Sequence, residues 1–219
     1  MGFFDRFKKT QQHQAVGTVN IMYELLFGDN TGLYQMNPSQ NSAYPWNILF
    51  AEMTNPDELY KIIHDEHLET RIKMLAYHQL RSAGIAIDTK ELLAVIVEVG
   101  LEQGNDVLAS FKDGRARYMN QGGRMIIWET FDDTSDALIK KLFEQSMEIV
   151  NKIGPWDKQR LPPPPQGNAR ISFILSNGVY FGEAPINILF NDSMAAPALQ
   201  TATELMQYLV SKDPVTKAP

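Results

Sequence analysis

Up to about Gly84 the hydrophobic residues of this chain recur every three or four positions; from Glu91 onward they alternate with polar ones. The first period suits a helix with one apolar stripe, the second a strand with one buried face. Ala15, Val16, Val19, Met22, Leu25 and Leu26 mark a first helix. The polar segment GDNTGLYQMNPSQNSAYP is rich in turn residues and reads as a long loop. Asn55, Pro56 and Glu58 then form a helix start: a capping side chain, a residue lacking an N–H that the first turn would leave unbonded, and an acid at the third position. Leu59, Ile62 and Ile63 give one stripe; Leu68, Ile72, Leu75, Ala76 and Gln79 give another. The stripe slips near Asp65–His67, which predicts two helices or one broken helix, closed by Gly84.

ELLAVIVEVGL is a buried strand, and DVLASFK, RARYMN and RMIIWE follow it through EQGN, Asp113-Gly114 and QGG. Asp-Gly between alternating runs signals a hairpin, so this is a four-stranded antiparallel meander. The acidic cluster DDTSD suits a helix N-terminus. Leu138, Leu142, Ile149 and Ile153 form the inner face of that helix, with Ile139, Phe143 and Val150 alongside, and Gly154-Pro155 stops it. After the connector GPWDKQRLPPPPQGN the scheme returns. ARISFILSNGVYFGEAPINILFND predicts a strand, a turn at Asn177-Gly178, a second strand, a break at Ala184-Pro185 and a third strand. A helix opening near Pro197 and using Leu199, Ala202, Met206 and Leu209 follows.

The expected fold is therefore α+β, with N-terminal helices followed by two antiparallel β-meander–helix units whose shared order raises a pseudo-symmetric repeat. The expected divisions are residues 1–12 as a flexible or amphipathic N-terminus, 13–84 as a mainly helical region, 85–154 and 170–219 as the two meander–helix units, and 155–169 as a Pro-rich connector. Four consecutive prolines impose polyproline II geometry. A docking motif for an SH3- or WW-like groove and a stiff spacer both use that geometry, and one short tract in a loop favours the spacer. Trp156 beside it is expected to staple the loop to the core.

Composition narrows the function. The 219 residues are 44% hydrophobic and 21% charged, with a formal net charge of −6 and no cysteine. That balance is globular, excludes thiolate chemistry and disulfides, and opposes nucleic acid and anionic lipid. No apolar run approaches the ~20 residues of a spanning helix. MGFFDRFKKTQQ lacks the apolar core of a signal peptide, and Arg6 stands where myristoylation requires Ser or Thr. A cytoplasmic location is the expectation. Phe3, Phe4 and Phe7 beside Arg6, Lys8 and Lys9 have the spacing of an amphipathic anchor, but three aromatics bury too little for lasting membrane attachment.

No catalytic residue emerges. The histidines are His13, His64, His67 and His78. HDEH, residues 64–67, departs from the HExxH spacing and has no distant third ligand, so neither a metal nor another cofactor is expected. Neither a G-x-S-x-G elbow nor a phosphate-binding loop occurs. The stretch SFKDGRARYMNQGGRMIIWE is different, with Lys112, Arg115, Arg117 and Arg124 around its turns. Side chains two apart on a strand share a face, so Arg115, Arg117 and Met119 oppose Ala116 and Tyr118. One face is expected to take the helices and the other to carry the arginines in the open. Glu98 interrupts the apolar first strand and there must be paired, exposed or raised in pKa. Arg115, Arg117, Tyr118 and Glu98 are thus the candidate binding residues, with ion pairs to Glu98 and Glu129 as the plainer expectation. DGRARYMNQGGRMIIWE also resembles stretches of bacterial proteins to which no activity is attached. The leading expectation is a non-enzymatic interaction or accessory module that binds a protein partner or its own copy. The alternative is a domain for a small anionic ligand, or a minor enzyme, with a pocket between the meander and the N-terminal helices.

Overall fold

The computed structural model describes residues 21–35 and 41–213. Phe3, Phe4 and Phe7, His13 and most of the first expected helix lie outside the described residues; residues 21–24 are helical. A 3₁₀ turn, Thr31–Tyr34, interrupts the long loop, and the short helix α1, Trp46–Leu49, follows it. Helices α2, Pro56–His64, and α3, Thr70–Ser82, flank the break that the slipped stripe implies. Asn55 accepts the N–H of Asp57 at 3.1 Å, which caps α2. Thr70 opens α3 by donating its N–H to Asp113 Oδ2 at 2.8 Å, and Asp113 N–H donates back to Thr70 Oγ1 at 3.1 Å. The Asp-Gly turn of the meander therefore also fixes the start of a helix, and Gly114 takes the left-handed φ of +84° that the turn requires.

The strands are β1, Leu92–Leu101; β2, Gly104–Phe111; β3, Ala116–Met119; β4, Met125–Trp128; β5, Asn168–Leu175; and β6, Gly178–Pro185. They form one antiparallel sheet in the order β4-β3-β2-β1-β5-β6. A register shift between Leu92 and Ala94 lets Leu93 and Ala94 both face the N-terminal helices. Beyond it alternation resumes. Ile96, Val107, Ala109, Phe111 and Met119 pack under α2 and α3, while Val95, Val97, Leu108, Ile171 and Phe173 face the other way. There they meet α4, Asp133–Val150, and α6, Ala196–Lys212. Both faces are covered, which explains why β1 is apolar on both faces apart from Glu98. Asp132 Oδ1 accepts the N–H groups of Thr134 and Ser135 to cap α4, and Oδ2 accepts the Tyr208 hydroxyl at 2.9 Å, tying α4 to α6.

The third strand expected after Ala184-Pro185 is instead a helix, α5, Ile186–Asn191. Ile186, Ile188 and Phe190 alternate as a strand would, but six residues are too few to separate a period of 2 from one of 3.6. Pro185 ends β6, and Ile186 N–H turns inward to the Gly167 carbonyl at 3.0 Å. The second unit therefore has two strands and two helices, so the expected match of three strands and a helix does not form. What both units share is a hairpin followed by a helix on the same face of the sheet. Among the described residues no helix is long and apolar enough to cross a membrane.

Candidate binding cleft

The four residues singled out by sequence fall at different places. Glu98 lies at the sheet centre, fully buried on the face of α2 and α3. It accepts the Tyr23 hydroxyl at Oε1, 2.6 Å away. Its cation is Arg170, its register partner on β5, with Nη1 3.8 Å from Oε2. Burial pushes the Glu98 pKa up, and the bond from Tyr23 and the charge of Arg170 recover part of that rise.

Arg117 shares this face but is 4% exposed. The expected open arginine face does not exist, because α2 and α3 cover it. Arg117 donates to the carbonyls of Ala116 at 2.8 Å and Trp128 at 3.1 Å, and to Glu129 at 2.6 Å. Arg115 bonds to Asp113 at 3.0 Å, stands 3.9 Å from Glu69, and covers the Phe131 ring. Tyr118 is on the opposite face, donating to Asp106 at 2.9 Å. The arginines of the meander are thus paired with neighbouring acids, as Arg117 with Glu129, while Glu98 takes its partner from β5. His64 stacks on Tyr60 at the end of α2, and His67 sits in the following turn. Among the described residues no three histidines, aspartates or glutamates are grouped to hold a metal.

The geometry points elsewhere, to the connector. From α4 the chain passes round the edge of β6, where Trp156 N–H donates to the Val179 carbonyl at 2.7 Å. It then crosses to the opposite face as a strap. Arg160 is bonded there to Asp29 at 2.8 Å and to Glu24, with its guanidinium 3.9 Å from the Phe27 ring centre. Arg170 donates to the carbonyls of Leu161 and Pro162 at 3.3 and 2.8 Å while holding Glu183 with Nε and Nη2. Pro164 is buried. The strap ends against Gly100: a Cβ there would lie 2.6 Å from the Pro164 carbonyl oxygen and nearer still to that of Pro165. Gly167 N–H closes the contact on the Gly100 carbonyl at 2.9 Å. The tetraproline thus acts as a stiff element fastened at both ends.

Between the strap, the segment around Phe27, the end of α3 and the β5–β6 turn lies a cleft of about 990 Å³. Phe27, Trp156, Val179, His78, Arg81 and Arg160 contribute to its walls. Arg81 is directed to the carbonyls of Leu175 and Ser176, 3.4 and 2.7 Å away. Lys158 rests over the Trp156 ring. Burial, with the charge of Arg81 second, lowers the His78 pKa, so the imidazole is neutral at neutral pH. Its Nε2 is 3.5 Å from Ser82 Oγ, at the limit of a hydrogen bond. The cleft thus offers aromatic walls, prolines and paired charges. Sequence reasoning passed it over because its parts come from four separate segments; the one local signal was the density of Trp, Arg and Pro in WDKQRLPPPP.

No protein-family model matches the chain, and no curated protein matches it.

Proposed function

We propose that the protein is a non-enzymatic interaction module whose cleft takes an extended segment of a partner polypeptide. The observation that carries this reading is the commitment of the cleft's arginines. Arg160 is held by Glu24 and Asp29, and Arg81 by two carbonyls. At Arg160 a phosphate or carboxylate would have to displace acids already in place, at a loss of charge-assisted bonds. A polypeptide makes no such demand. Its apolar side chains fit beside Phe27 and Trp156, and its peptide groups beside the exposed polar rim. The proline wall is ordered before binding, so little conformational freedom is lost on association. The net charge of −6 disfavours nucleic acid as the partner.

Selection from a displayed random-peptide library tests this reading. Peptides enriched on the full chain should bind it saturably and lose binding to Val179→Arg and to His78→Trp, which fill the cleft from opposite walls. Peptides that bind these variants as tightly as the native protein would place recognition outside the cleft and defeat the reading.

A further inference from the structure

On the face of the sheet opposite the cleft, beneath α6, lies a smaller cavity of about 120 Å³. Val99, Leu101 and Leu108 line it from the sheet, and Ala202 and Met206 from the helix. The helix presents only a methyl group to this space, at Ala202, between the buried Leu199 and Leu205. Polar groups edge this apolar chamber. Thr203 is committed to the Leu199 carbonyl at 2.8 Å. Tyr118 and Asp106 are committed to each other: the tyrosine hydroxyl donates to Asp106 Oδ2 at 2.9 Å, and Gln121 N–H donates to Oδ1 at 2.8 Å. Two donors thus fix the carboxylate at the cavity wall, and each of its oxygens keeps a second acceptor site. Among the described residues no lysine or arginine pairs with Asp106.

We propose that this cavity binds a small organic amine, its apolar body beneath α6 and its ammonium group on Asp106. Size sets the body. A closed apolar cavity of about 150 Å³ admits benzene, so a chamber of this volume with an open mouth takes a single ring or a branched chain of similar bulk. The lining sets its polarity, since a buried polar body would lose its hydrogen bonds to water without replacement. Asp106 sets the head group: a fixed carboxylate repels an anion, accepts from a neutral donor and attracts a cation most strongly. Tyr118, already singled out in the sequence, acts here by aiming that carboxylate. The site is separate from the cleft and independent of what the cleft binds.

The probes are benzylamine, toluene and benzoate, which share one ring and differ in the head. Each is titrated into the full chain while the methyl resonances of Val99, Leu101, Leu108 and Met206 are followed. Benzylamine should shift them saturably and bind roughly fivefold tighter than toluene, the size of a partly exposed ion pair; benzoate should bind more weakly than toluene. Asp106→Asn keeps an acceptor for Gln121 N–H and should bring benzylamine to the level of toluene without altering toluene. Ala202→Leu should abolish binding of both, and Val99→Phe fills the cavity from the sheet side if the helix variant does not fold. Toluene bound as tightly as benzylamine would overturn the amine assignment. Binding undiminished in the filled variants, or no saturable shift with any probe, would overturn the site.

Discussion

Tyr23 donates its hydroxyl to Glu98 across 2.6 Å, joining the N-terminal segment to the centre of the sheet through a carboxylate with no solvent exposure. The other oxygen of Glu98 is 3.8 Å from Arg170, the residue that grips the strap. Burial raises the Glu98 pKa despite both neighbours. A carboxyl group with a raised folded pKa disfavours the native state while ionised, and this cost is relieved as pH falls from above that pKa toward the ordinary value of 4.5. Tyr23→Phe leaves the buried charge with no hydrogen-bond donor, only the more distant cations Arg170 and Arg160. It should cost about 1–3 kcal/mol at pH 8, and the loss should shrink as the pH is lowered and Glu98 takes up a proton. Urea denaturation across that range measures both; a loss that does not change with pH would contradict the assignment.

Arg117→Met should cost about 1–3 kcal/mol. The loss comes from two carbonyls left without their buried donor, those of Ala116 and Trp128. Neither titrates, so the cost should be the same at pH 5 and pH 8. Glu129 adds little, because its side chain is 52% exposed and water replaces the arginine. A strong pH dependence would mean that Glu129 carries the pairing energy.

Gly100→Ala tests the strap. The added methyl meets backbone oxygens, which cannot rotate away as a side chain does. A destabilisation of about 1–3 kcal/mol is expected, as for other forced overpacking. Hydrogen exchange should quicken at Gly167 and Trp156, whose N–H groups fasten the strap. Unchanged exchange at both would show that the strap yields without detaching.

Asp132→Ala removes the cap of α4 and the acceptor of Tyr208, and should cost about 1 kcal/mol at neutral pH. The Ser135 N–H, the largest influence, helps hold the Asp132 carboxyl below its usual range. Its contribution is therefore present above the ordinary aspartate pKa and lost as pH falls through the depressed one. Melting curves of the two proteins should converge in acid; a gap that widens there would reverse the sign.

Local signals were sufficient wherever one residue type decides the backbone. Asn55 and Pro56 start α2, Asp132 caps α4, and Asp113-Gly114 turns the chain between β2 and β3, all as their chemistry dictates. Contacts between distant segments were not legible. The alternation around Arg117 correctly separates the two faces of β3, yet says nothing of what covers them; α2 and α3 turn a presumed surface into an interior. Glu98 was recognisable as a charge in need of a partner, but Arg170 lies seventy-two positions along the chain, brought alongside only by the β1–β5 pairing. At Ile186–Asn191 a short apolar run fitted either period, and the lack of a free N–H on Pro185 coincides with the end of the strand.

The central pairing of β1 with β5 has one more consequence. The strap joins two pieces of chain that the sheet already holds together: the meander with its helices on one side, and the β5–β6 hairpin with α5 and α6 on the other. A single backbone cut in residues 155–169 would therefore leave two fragments with complementary strand edges. Expressed separately and mixed, they should reassemble, with a midpoint of unfolding that rises with concentration, whereas that of the intact chain does not. Read this way, the proline segment supplies effective concentration, and the single polypeptide behaves as a tethered pair.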